Sequence, residues 1–213
     1  MAIGAQKIVT AIIPTFIIGA VTGFVTASRY GFNRRLAASV ICGIQYALTA
    51  ARFGVTWHCA HMCILFTLLN SAALSDLDTT EIPDIIHIAA AGVFLVFLPL
   101  EGDMLRTLIR GLLGALSVGG AMFFISWFAE RMTEREAIGG GDIKLFAVLG
   151  LHFGIIGGIF AVIASCVVGL VVCALKRISK SLPFPFAPSI AIGAFVTAMA
   201  GEELINLYLC MFR

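Results

Sequence analysis

Two carboxylates in this chain invite chemistry. Asp76 lies in Ser75-Asp76-Leu77-Asp78-Thr79-Thr80-Glu81-Ile82-Pro83-Asp84. Asp142 closes Gly139-Gly140-Gly141-Asp142 and is followed by Ile143-Lys144-Leu145. Each stands at the edge of a long apolar run, where a carboxylate is costly unless it is solvated, paired or used. Two carboxylates held close tend to share one proton. The ionised one can then deprotonate water while the protonated one polarises a carbonyl. That is the chemistry of aspartyl proteolysis, and it demands that the two residues meet. The glycines before Asp142 let the backbone crowd against something that a Cβ would exclude.

The elements that must position these residues are membrane helices. Of 213 residues, 60% are hydrophobic and 12% charged, and the mean hydropathy is +1.04. No ordinary soluble domain has this composition. A spanning helix takes about 20 mostly apolar residues, and eight apolar segments are legible: 8–27, 36–53, 57–74, 85–100, 108–128, 143–151, 155–175 and 190–211. The expectation is an all-α polytopic membrane protein with about eight transmembrane helices, residues 1–213 forming a single membrane-embedded domain. The first run carries Pro14 and ends at Arg29-Tyr30 without a small-residue cleavage site, so it reads as a span and not as a signal peptide. Its Gly19 and Gly23 suit close helix packing. The net charge of +2 implies no strongly charged partner and no nucleic acid.

Short-loop cations orient the bundle. Arg29, Arg34, Arg35, Arg131, Arg135, Lys176, Arg177 and Lys180 fall in one set of alternate loops, and Arg52, Arg106 and Arg110 in the other. The first set is the larger and is assigned to the cytoplasm, with both termini outside. Asp76 and Asp142 then share the cytoplasmic face. Pro83 suits the first turn of the fourth helix, and Asp84 beside it favours the positive end of the helix dipole. Asp78 and Glu81 read as solvated loop charges.

These residues resemble a known family, the type IV prepilin peptidases with their archaeal preflagellin-peptidase relatives, which are GxGD membrane aspartyl proteases. Asp76 with Pro83 seven positions on looks like the family's first motif. The run from Arg135 through Asp142 to Leu145 looks like the second. Pro185-Phe186-Ala187-Pro188 with 191–195 resembles the proline-rich approach to the last span, and 19–24 with Arg29 the end of the first helix. The resemblance implies that Asp76 and Asp142 are catalytic and that a short basic leader is cut from prepilin or pseudopilin precursors. The cut falls on the cytoplasmic side of a prokaryotic inner membrane. Gly139 and Gly141 would admit the substrate backbone, and Lys144 would contact substrate or partner Asp142. Many bacterial members carry a cytoplasmic insertion with paired CxxC zinc ligands and also methylate the new N-terminus. Here the corresponding loop is only 28–35 and holds no cysteine. Peptidase activity alone is therefore expected, without cofactor or metal; homo-oligomerisation stays open.

Other polar residues read more plainly. Cys42, Cys59, Cys63, Cys166, Cys173 and Cys210 sit mostly in apolar runs, as small hydrophobes do. His58-Cys59-Ala60-His61-Met62-Cys63 holds ligand types but lies at the far end of its span from both aspartates, and reads as interfacial packing with Trp57. His87 and His152 read as lone polar residues near span ends. Two rivals share the aspartates. A proton-coupled transporter or channel would need a polar path across the membrane, and the polar residues gather at one face. A presenilin-like protease would want tyrosine before its first aspartate, where Ser75 stands.

Overall fold

The computed structural model describes residues 2–133, 138–176 and 184–211. Glu134, Arg135, Glu136, Arg177 and Lys180 lie outside the described residues. Regular structure among the described residues is wholly helical: α1 (Ala2–Thr26), α2 (Phe32–Phe53), α3 (Trp57–Thr79), α4 (Asp84–Phe97), a 3-10 turn (Leu98–Leu100), α5 (Met104–Thr133), α6 (Gly140–Lys176) and α7 (Ala187–Met211). Among the described residues, four stretches are long and apolar enough to cross a membrane: Phe32–Phe53, Trp57–Thr79, Met104–Met132 and Gly140–Leu175. Ala11–Thr26, Asp84–Leu100 and Ala187–Gly201 are shorter apolar helices.

The surface is apolar. Ile13, Ile17 and Val21 of α1, Leu112, Leu116 and Phe123 of α5, and Ile163, Val167 and Leu170 of α6 all face outward. In water such a surface would drive association. In lipid it is the natural exterior, and helices satisfy their own backbone there. The chain is an integral membrane protein.

Inside, close packing depends on small residues. The Gly19 and Gly23 of α1 lie against the backbone carbonyls of Cys42 and Ala38 on α2, where a Cβ would clash. Gly114 of α5 meets Gly150 of α6 backbone to backbone. The main core joins α3 (Leu65, Phe66, Leu69), α6 (Leu145, Phe146, Leu149) and α7 (Ile190, Ala194). These three helices carry and cover the aspartates.

Two boundaries differ from the sequence reading or sharpen it. α6 is one 37-residue element with non-helical backbone at Gly154 (φ 73°, ψ −171°). Unbroken, it would run about 55 Å, well beyond a hydrocarbon core of about 30 Å. The sequence boundary between 143–151 and 155–175 falls on this break. The third apolar segment, read as ending at residue 74, instead stays helical to Thr79, so Asp76 is on the helix and not in a loop. The polar end is held by its own side chains: Thr79 Oγ1 donates to the Ser75 carbonyl at 3.0 Å, and Ser75 Oγ to the Glu81 carbonyl at 2.9 Å. Thr80 then stops the helix in a left-handed conformation (φ 54°), its amide bonded to the Asp76 carbonyl.

Candidate active site

Asp76 is on the last turn of α3 and is only 6% exposed. Its Oδ2 accepts the Ala187 amide at 2.8 Å, and the Phe186 amide is also directed at the carboxylate. Ala187 begins α7. The first amides of a helix have no partner within it and carry the positive end of its dipole. Pro185 and Pro188 bracket these amides and hold the chain on its approach to α7. The proline-rich segment therefore docks the start of the last helix onto a carboxylate of the third. Two backbone amides at the start of α7 thus support the Asp76 carboxylate.

Asp142 lies in the first turn of α6. The turn forms because the Gly139 carbonyl accepts the amides of Asp142 and Ile143, at 3.0 and 3.3 Å. Asp142 is half-buried, and its carboxylate accepts no hydrogen bond among the described residues. Asp76 is near enough to act on it electrostatically. The fold thus brings together the two carboxylates that the sequence singled out.

Residues from the first motif hold the second. His87, one turn into α4, places Nε2 3.0 Å from the Gly141 carbonyl. A carbonyl only accepts, so Nε2 carries a hydrogen, while Nδ1 has no hydrogen-bond partner among the described residues and stands 3.9 Å from Asp84 Oδ1. Lys144 bonds Asp84 at 2.7 Å across the same seam, with both side chains exposed. The Lys144 ammonium holds the Asp84 carboxyl, just outside the apolar run, below the usual carboxylate range. Asp84 and His87 share a face of α4 because they are three residues apart. Together they clamp the glycine turn from beneath.

The three residues assigned to substrate fall in different surroundings. A Cβ on Gly141 would stand 3.3 Å from Ile82 Cβ, so this glycine accommodates the first motif. Gly139 is exposed, and among the described residues a Cβ there would meet only Asp142 Oδ2, at 3.6 Å. Lys144 pairs with Asp84 and not with Asp142. Sequence reasoning missed His87 as a support of the glycine turn and the Ala187 amide as a partner of Asp76. The spacing of His87 from Asp84 was a usable signal for the first; nothing local to Ala187 announces the second. Beside the aspartates, Arg34 pairs with Asp78 at 2.7 Å, at the rim of a cavity of about 450 Å³ that Arg29, Tyr30, Phe32 and Asn33 also line.

Residues 63–174 match the sequence model of the type IV leader peptidase family. Curated relatives include the prepilin leader peptidase/N-methyltransferase of Bacillus subtilis, 29% identical over 82% of this chain and 69% of its own length. The protein of the same name from Neisseria gonorrhoeae is 26% identical over 78% of this chain and 57% of its own length. That from Stutzerimonas stutzeri is 25% identical, over 91% and 68%. This chain therefore spans between 57% and 69% of these three relatives. No solved structure matches it.

Proposed function

Because the chain belongs to the type IV leader peptidase family, its reaction is removal of the leader from a prepilin-like precursor, and we propose that Asp76 and Asp142 carry it out as an aspartyl pair. The observation that carries this reading is the convergence of the two motifs. The last turn of α3, the glycine turn of α6 and the start of α7 meet around two carboxylates, one of them with no hydrogen bond among the described residues. The ionised member of the pair takes a proton from water. The other, protonated, donates to the scissile carbonyl, and the water oxygen attacks the carbonyl carbon. The pair titrates as one unit.

The cut falls on the cytoplasmic face of the inner membrane, in a single membrane-embedded domain crossing the bilayer eight times, with the break at Gly154 separating two crossings of α6. Cations at the helix ends support this orientation, since Arg29 between α1 and α2, Arg34 in the first turn of α2 and Arg131 in the last turn of α5 lie on the aspartate side. The precursor's basic leader rests by the exposed Gly139, and its apolar segment enters between helices. The relatives are named as N-methyltransferases as well; this chain acts as a peptidase alone, because the loop 28–35 holds no cysteine for the paired-thiolate insertion.

The test is incubation of the purified chain with a pilin-like precursor bearing a basic leader, followed by mass measurement. The reading predicts a product shortened by the whole leader, with a new N-terminus immediately before the apolar segment and no added methyl group. An intact precursor would overturn the reaction, and a methylated product would overturn the restriction to proteolysis.

A further inference from the structure

The end of α3 opposite Asp76 carries a second cluster that proteolysis does not use. His61 and Asp76 are fifteen residues apart, about 22 Å along a helix. There His58, His61 and Glu101 offer three ligand atoms that all lie within 4.8 Å of one another. Two histidines come from the first turns of α3, and the carboxylate follows the 3-10 turn after α4.

The protons in this cluster can be placed from the bonding. His152 Nε2 lies 3.0 Å from the Ala90 carbonyl, which only accepts, so Nε2 carries the hydrogen. His152 is 5% exposed. A charge on it would be costly without a carboxylate against it, and none is bonded to it among the described residues. Neutral His152 therefore presents a bare Nδ1, which accepts from His61 Nε2 at 2.9 Å. That fixes His61 as the Nε2–H tautomer. Its Nδ1 keeps a lone pair, is buried and has no hydrogen-bond partner. His61 itself is 6% exposed, and its ring is stacked on Phe97 at 5.0 Å. A buried polar atom left open is normally satisfied. It belongs to a ring whose centroid stands 6.2 Å from that of His58.

We propose that His58, His61 and Glu101 bind a divalent transition-metal ion of the zinc class, which ties the start of α3 to the turn after α4. Two imidazoles and one carboxylate are a zinc-type donor set. A ligand histidine whose other N–H is held by a fixed acceptor is the usual support for such a site. Tetrahedral ligands about 2.0–2.2 Å from zinc stand about 3.4 Å apart, so the cluster must tighten by roughly an ångström. His61 is fixed by packing and by His152. His58 is exposed and Glu101 half-exposed, so these two can close the gap. Cys59 and Cys63 are excluded as ligands, because they are buried with Tyr46 and Ala50 against α2. His58 and His152 line a cavity of about 930 Å³, so the His58 side of the cluster borders open space. Arg52 in that cavity is paired with Glu203. Arg106 and Arg110 also line it, so Glu101 is needed to offset the charge of the metal.

The experiment strips the purified chain with a chelator and titrates it with Zn²⁺, reading stoichiometry by elemental analysis and the rise in Tm. One Zn²⁺ per chain is expected. His58→Ala and Glu101→Gln should each weaken affinity at least tenfold without lowering the metal-free Tm, since neither side chain is in the core. His152→Gln tests the positioning role: affinity should fall about 10–100-fold with stoichiometry still one. Cys59→Ser and Asp142→Asn should bind as the unaltered chain does. No saturable binding, or unchanged affinity in the His58→Ala/Glu101→Gln double variant, would overturn the proposal. Loss of binding in Asp142→Asn would overturn it too, by placing the metal on the aspartates.

Discussion

The two ends of α3 use polar groups in opposite ways. At the aspartate end, support comes mostly from backbone: the Ala187 amide holds Asp76, and the Gly141 carbonyl is held by His87. Carboxylate oxygens are left over. At the histidine end, side chains satisfy one another in series, from the Ala90 carbonyl through His152 to His61, and a single imidazole lone pair is left over. A buried polar group is costly unless it is satisfied. What remains unsatisfied after the fold has formed marks where a ligand or a reaction belongs. At one end the remainder suits a shared proton and water; at the other it suits a cation.

The largest expected effect belongs to the aspartates. Asp76→Asn and Asp142→Asn should each lower precursor cleavage by about 10³-fold or more, since both halves of acid–base catalysis depend on the pair. Expression and Tm should be nearly unchanged for Asp142→Asn, whose carboxylate supports nothing else among the described residues. For Asp76→Asn a modest drop in Tm is expected as well, because the amide side chain is a weaker acceptor for Ala187.

The next effect separates support from chemistry. His87→Ala leaves the Gly141 carbonyl without its partner, worth about 1–3 kcal/mol in a buried setting. It should lower kcat about 10–100-fold by loosening Asp142 while KM for the precursor barely moves. His87→Gln, which can still donate, should restore most of the rate; no rescue would mean that His87 does something other than hold the turn. Gly141→Ala presses on Ile82 and should cost about 1–3 kcal/mol. Ile82→Ala in the same chain should relieve part of it, a coupling that a double-mutant cycle would detect.

The smallest effect is at the Lys144–Asp84 pair. Both side chains are exposed, and such pairs contribute little. Lys144→Ala should change cleavage by less than about twofold, and the difference should shrink as salt is added. The sign with pH follows from the depressed Asp84 carboxyl. Its contribution is present above the unfolded value of about 4 and is lost as pH falls through the lower folded value. A large effect at neutral pH would instead place Lys144 on the substrate.

The aspartates, their common end of the bundle and the break in α6 were all legible in the sequence, because each rests on local signals. Carboxylates at apolar edges, cations in alternate loops and a glycine between two apolar runs can be seen without knowing the fold. The supports were not legible for the same reason. The Ala187 amide and Asp76 are 111 positions apart, and His61 and His152 are 91 apart. His87 looked like a lone polar residue because its partner is a backbone carbonyl, which every residue has. Hydropathy ends at residue 74, whereas helical hydrogen bonding continues to Thr79, so Asp78, which reads as a loop charge, lies on α3.

The central claim is that Asp76 and Asp142 act as one unit. The direct measurement is single-turnover leader cleavage by the purified chain, Asp76→Asn, Asp142→Asn and the double variant. The account predicts that each single variant loses essentially all cleavage and that the double variant is no worse than either, because the unit is already broken. Substantial cleavage by either single variant, or losses that simply multiply in the double variant, would contradict it.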